Sequence, residues 1–323
     1  MNYQIKILVL SFLIGLIVSF VAIPILRKLK VGQIEREDGP QSHLKKQGTP
    51  TMGGIIMIVT ILMVAAIISI QYIFHDQALV YHFLPLVIVS LGFGIVGFID
   101  DFKKLVLKNT EGLKPSYKML GLLIIAVSFV IYLYKVIGTE TFLPIIKTYF
   151  VLPVWIYIPF AIFVMLGTTN AVNLTDGIDG LATSVTTIII ACLTVIGIML
   201  GVKEVVLLGS IVCGANLAFL LFNMYPAKVF MGDTGSLLLG GVIVSMALYL
   251  KMPLLLIVIA LVPVVETLSV MIQVMYYKKT GKRIFKMAPL HHHFELSGWN
   301  ENKVVSIFSI VTLIFCIIGI KII

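Results

Sequence analysis

The chain alternates long apolar runs with short polar breaks. Runs of spanning length fall at about 5–26, 53–73, 84–100, 117–135, 152–170, 181–200, 205–223, 235–250, 253–276 and 304–321. A helix needs about 20 apolar residues to cross the hydrocarbon core. None of the runs breaks into the short alternating segments of a membrane β-barrel. The pattern predicts one all-α integral membrane domain over residues 1–323, with about ten transmembrane helices. An even count puts both ends of the chain on the same face. Residues 136–151, with Pro144 and aromatic side chains, are expected to form a small interfacial structure.

Composition agrees with this pattern. Hydrophobic residues make up 59% of the 323 and charged residues only 12%, about half the share usual in soluble domains. The mean hydropathy is +1.09. Cys192, Cys213 and Cys316 are scattered through apolar runs, which suits small core residues and neither a disulfide framework nor a zinc site. The basic cluster Arg27, Lys28 and Lys30 follows the first apolar run instead of preceding it, the reverse of a secretory signal.

The net charge of +9 invites a nucleic-acid reading, but its distribution argues for topology. Of 24 Lys and Arg, 18 fall in the breaks 27–52, 103–118, at Lys228 and in 278–303. The positive-inside rule makes that face cytoplasmic and both termini extracytoplasmic, with no nucleic-acid partner. Six of the seven aspartates (Asp38, Asp100, Asp101, Asp176, Asp179, Asp233) map to the same face. Carboxylates contribute little to topology, so these suggest a metal site inside a basic, anion-attracting rim.

The densest polar stretch runs from Asn170 to Leu181 and sets Asn170, Asn173, Asp176 and Asp179 at intervals of three among glycines. Ionisable groups at membrane depth cost roughly 3 kcal/mol or more, which favours a functional site over turn formers and helix caps. Asp100 and Asp101 end the third run. Two adjacent carboxylates call for a cation, either lysine or Mg²⁺, which takes one or two carboxylates plus phosphate oxygens. The alternative is a helix end solvated among headgroups. Upstream, Gly92, Gly94 and Gly97 match a dinucleotide pattern but lie inside a span, where small residues serve close helix packing instead.

Asp233, within Phe230–Ser236, is set between glycines at a helix start. That arrangement suits a metal-bound phosphate, or else a simple N-cap. Lys45-Lys46 and Thr49 to Gly54 combine basic groups with glycines and hydroxyls, as phosphate binding wants. His291, His292 and His293 lie in a basic loop; consecutive residues cannot all face one object, and phosphate contact is the expected use. Glu266, inside the ninth run, is read as part of a proline kink and left out of the chemistry.

Together, Thr49 to Gly54, Asp100-Asp101, Asn170 to Leu181, Phe230 to Ser236 and Pro289 to Glu295 resemble the polyprenyl-phosphate N-acetylhexosamine-1-phosphate transferases. Pro-Leu-His-His-His-Phe-Glu resembles the branch that acts on UDP-N-acetylmuramoyl-pentapeptide. The resemblance implies a homodimer in the bacterial cytoplasmic membrane with a cytoplasmic active site. It implies transfer of the phospho-sugar to undecaprenyl phosphate, giving lipid I and UMP with Mg²⁺, in peptidoglycan synthesis. By motif, Asp233 corresponds to the magnesium ligand and Asp100 to a base or nucleophile. Asp101, Asp176 and Asp179 correspond to its polar and substrate-binding partners, and His292 joins the catalytic set. Phe230 corresponds to a residue stacking on uracil. Lys46, Thr51, Asn173, Asn223, Gln273, His291, His292 and His293 fall among substrate contacts. The rivals are a transferase using UDP-N-acetylglucosamine and, from another class, a transporter of an anionic solute. The transporter would run polar residues through the bilayer.

Overall fold

The computed structural model describes residues 3–29, 48–105 and 112–323; Lys46 and Asp38 lie outside them. Apolar runs fold as helices because lipid offers no partner for backbone polar groups. The helices are α1 (Tyr3–Lys28), α2 (Gly54–Tyr72), α3 (Gln77–Leu105), α4 (Pro115–Ile137), α5 (Val154–Thr175), α6 (Leu181–Leu200) and α7 (Lys203–Asn223). They continue with α8 (Gly232–Tyr249), α9 (Leu256–Ile259), α10 (Leu261–Thr280), α11 (Leu290–Glu295) and α12 (Glu301–Ile322). Among the described residues, nine are long and apolar enough to span a bilayer. The chain is thus an all-α integral membrane protein.

The expected ninth run is not one straight helix. A 3-10 turn at Pro253–Leu255 and α9 meet α10 at 85°. Pro263 has no N–H to give the Ile259 carbonyl one turn back, and the Cys316 thiol approaches that carbonyl at 3.7 Å instead.

The bundle is built around α8, which packs most extensively on α3 and then on α5. Its most apolar stretch is 83% buried with mean hydropathy 1.3, whereas that of α12 is 17% buried with mean hydropathy 2.5. Helices wrapped by protein need not be as oily as those wrapped by lipid, so the least hydropathic span is the innermost. Close packing explains the glycines of α3. A Cβ on Gly97 would run into the Asp233 carbonyl of α8.

Residues 140–151 form a hairpin, β1 (Glu140–Leu143) against β2 (Thr148–Val151), antiparallel with Glu140 opposite Val151. Lys251, just past α8, pairs with Glu140 at 2.6 Å and accepts from the Phe142 amide at 2.7 Å. The hairpin is thereby tied to the bundle.

Candidate active site

The C-terminal ends of α3 and α5 and the N-terminal end of α8 meet at one level of the bundle. Asp100 and Asp101 end α3 buried, at 2% and 5% exposure, so they are not a solvated helix end. Successive helical residues point roughly 100° apart, and the two carboxylates do different things. Asp101 accepts from the amides of Asp233 (3.2 Å) and Thr234 (2.9 Å) and from the Thr234 hydroxyl (2.6 Å). It caps α8 from a neighbouring helix, where the helix dipole favours an anion. Asp233, in the first turn of α8, is therefore not the cap, and its carboxylate faces the site.

Asp100 and Asp233 share two lysines. Lys104 Nζ lies 2.7 Å from Asp100 Oδ2 and 3.0 Å from Asp233 Oδ2. Lys118 Nζ lies 3.2 and 2.8 Å from the same two atoms. Asp100 Oδ1 accepts from the Leu113 amide at 2.7 Å. Asp233 Oδ1 accepts from Asn173 Nδ2 at 2.8 Å, which also reaches Ser236 Oγ at 2.8 Å. Two anions and two ammonium groups thus form a compact, balanced cluster drawn from α3, α4 and α8, with an amide from α5 beside it.

Asp176 caps the C-terminal end of α5. It keeps partial access to the opening yet is set deep among protein atoms. Burial first, then the charges of Asp233, Asp101 and Asp179, push its carboxyl up to about 8. Asp179 is buried, accepts from the Ala227 amide at 2.9 Å, and its own amide reaches Glu301 Oε2 at 3.3 Å. Asn170 turns back to its own helix, donating to the Leu166 carbonyl at 2.7 Å.

Other expected residues shape loops. Asn223 is buried between the Thr183 hydroxyl (2.7 Å) and the Val229 carbonyl (3.0 Å). Phe230 pairs its backbone with Pro50 and Gly53, both at 2.8 Å, and its ring is half-buried. Thr51 is buried where a Cβ on Gly232 would meet its hydroxyl at 3.0 Å and Asp101 Oδ2 at 2.7 Å. Beside this seam, Arg27, Gly48, Thr49, Pro50, Pro226, Ala227 and Lys228 line a cavity of about 400 Å³. Gln273 binds the backbone of Ile284 and Phe285 at 3.0–3.1 Å.

The three histidines do diverge. His291 is fully buried, with the Glu266 carboxylate on its amide at 3.1 Å and 3.3 Å from Nδ1. His292 Nδ1 meets Glu295 at 2.8 Å, and His293 Nδ1 accepts from the Lys286 amide at 3.1 Å. Glu266 therefore does more than fit a kink, since it bridges α10 and α11.

Sequence reasoning offered a lysine beside Asp100-Asp101 only as a counter-ion, a role Lys104 fills, and missed Lys118, because basic residues there satisfied topology. The four-residue spacing of Asp100 and Lys104 was a usable signal. Lys118 reaches the cluster only through the packing of α4, and nothing local marks it.

For Mg²⁺ the donors are hard oxygens of suitable kind. No cluster of three or more His, Cys, Asp or Glu among the described residues forms an all-protein cage. Asp233 with Asp100 fits the mode in which one or two carboxylates act with substrate phosphates.

The model of "Glycosyl transferase family 4" matches residues 83–251, a stretch that contains the whole carboxylate and lysine cluster. Curated proteins named phospho-N-acetylmuramoyl-pentapeptide-transferase are similar along nearly the full length. One from Acetivibrio thermocellus is 48% identical over 315 residues, covering 96% of this chain and 92% of that protein. One from Clostridium perfringens strain SM101 is 50% identical, covering 97% and 94%. One from Clostridium novyi is 46% identical, covering 99% and 96%.

Proposed function

Because the chain belongs to glycosyl transferase family 4, we propose that this membrane transferase makes lipid I. It transfers phospho-N-acetylmuramoyl-pentapeptide from UDP to undecaprenyl phosphate and releases UMP. The observation that carries the mechanism is the meeting of Asp100, Asp233, Lys104, Lys118 and Asn173 at one point.

A lipid phosphate oxygen attacks the β-phosphorus, forming a new P–O bond. The bond from that phosphorus to the bridging oxygen breaks, and UMP leaves with the oxygen. One pyrophosphate linkage replaces another, so catalysis rests on positioning and charge neutralisation. Lys104 and Lys118 present ammonium groups where the attacking and leaving phosphates add negative charge. Asn173 and Asp101 hold Asp233 at the head of α8, and Phe230 offers its ring to uracil beside the cavity. Mg²⁺, held by Asp233 with Asp100 in reach, would neutralise charge on the pyrophosphate.

A phosphate monoester has a second pKa of about 6, so a neutral-pH nucleophile needs little help to lose its proton. Asp100, already engaged by two ammonium groups and an amide, serves in a single displacement as an orienting group or local base. The lysine bias supports a cytoplasmic active site in the bacterial inner membrane. The homodimer is carried by the family resemblance alone.

The test is incubation of the purified protein with undecaprenyl phosphate, Mg²⁺ and each UDP-sugar in turn. UMP is expected from the muramoyl-pentapeptide substrate. UMP from UDP-N-acetylglucosamine alone would reassign the donor. A phospho-enzyme that forms and turns over competently would replace the single displacement with two steps.

A further inference from the structure

The histidine run is bound to the aspartate loop through one buried contact. His291 is 0% exposed, and neither ring nitrogen has a hydrogen-bond partner among the described residues. Glu266 is 1% exposed; its Oε1 takes the His291 amide, while Oε2 lies 3.3 Å from Nδ1 without hydrogen-bond alignment. On the other edge, Nε2 presses on Gly177, where a Cβ would run directly into the ring. Gly177 sits between Asp176 and Asp179.

An apolar ring would fill this space without stranding two nitrogens, and buried polar groups left unpaired cost roughly 1–3 kcal/mol each. An imidazole that deep has no surface to offer a substrate. What it does have is a carboxylate on one side and the turn of the aspartate loop on the other. The 85° bend before α10 is part of the arrangement, because it sets α10 at the angle from which Glu266 reaches α11.

We propose that Glu266 and His291 form a positioning pair that fixes the turn at Gly177, and with it Asp176 and Asp179. His291 then acts through the aspartate loop, while its neighbours turn elsewhere, His292 to Glu295 and His293 to the Lys286 amide. The inference deepens the transferase reading and rests on it for the kinetic arm only.

Two readouts test it on the full-length protein. In hydrogen exchange read by mass spectrometry, His291→Ala and Glu266→Gln should raise exchange in peptides covering 174–181 and leave the middle of α7 unchanged. Unchanged exchange at 174–181 overturns the proposal whether or not the protein turns over. In UMP release, Glu266→Gln and Gly177→Ala should each lower kcat roughly ten- to a hundredfold, with KM for the UDP-linked substrate held within about twofold. The double variant Gly177→Ala with His291→Ala should turn over faster than Gly177→Ala alone, since the smaller side chain makes room for the added methyl. A double variant no better than either single, or a raised KM with kcat intact in His291→Ala, would make His291 a substrate contact instead. Should Gly177→Ala fail to fold, Glu266→Gln and His291→Ala decide by the same split. Wild-type protein that releases no UMP defeats the transferase reading, while the exchange data still decide the pairing.

Discussion

Asp101, buried, and Lys118, half-buried, share one cluster yet carry opposite kinds of consequence. Asp101 accepts three hydrogen bonds from the start of α8. Asp101→Asn turns one acceptor oxygen into a donor facing N–H groups, at about 1–3 kcal/mol for the stranded partners. Its melting temperature should fall clearly, and activity with it. Among the described residues, the hydrogen bonds of Lys118 Nζ go to the carboxylates of Asp100 and Asp233. Lys118→Ala removes charge aimed at the transferred phosphate and should cost roughly 10²–10³ in kcat with a smaller change in melting. Equal melting losses for the two would refute this division of labour. Asp176 supplies a pH signature. Burial and its anionic neighbours raise its carboxyl from 3.8 to about 8. The folded chain keeps a proton that the unfolded chain loses near pH 4. Stability therefore falls as pH rises from about 4 towards 8 and levels off above that. Thermal melting across that window should decline in wild type and be flatter in Asp176→Asn, which has no proton to lose.

At the level of elements, the site depends on how closely α3 meets α8. A Cβ on Gly97 strikes the Asp233 carbonyl, whereas one on Gly94 meets only side-chain atoms of Leu238 and Ile58 at 3.2–3.3 Å. Backbone cannot turn aside as side chains do. Gly97→Ala should destabilise by about 1–3 kcal/mol or more and abolish UMP release by separating Asp101 from its amides. Gly94→Ala should keep most of both, and equal damage from the two would show that the close approach is not what matters. This contact also shows how far the sequence could be read. Run length predicted the spans, because lipid imposes it on every helix. The aspartates stood out since charge in so apolar a chain needs a reason. The glycines of α3 were read as packing residues, yet no local pattern says that Gly97 is the one that meets the backbone of α8. Asp101's capping of a helix more than a hundred residues away was invisible for the same cause. The break before α10 was latent in Pro263, but an apolar run with one interior proline usually reads as a kinked span. Gln273, placed among substrate contacts by resemblance, holds the backbone at 284–285. That depends on where the loop after α10 returns.

At the scale of the whole molecule, the charged cluster lies at the ends of α3 and α5 and the start of α8, whereas a transporter would carry such groups through the bilayer. That end is the lysine-rich one, and positive charge is retained on the cytoplasmic side. The opposite end carries the hairpin and Lys147. The chain offers a clean way to check this orientation, since Cys192, Cys213 and Cys316 are all buried. A membrane-impermeant maleimide should hardly label the wild-type protein, so a single added thiol reports its own face. Lys228 and Lys147 are both exposed and stand at opposite ends of the bundle. In intact cells Lys147→Cys should label and Lys228→Cys should not, and inside-out vesicles should reverse the pattern. Labelling of Lys228→Cys from outside would put the carboxylates on the wrong side of the membrane for a nucleotide-linked substrate made in the cytoplasm. The lysine bias would then need another cause.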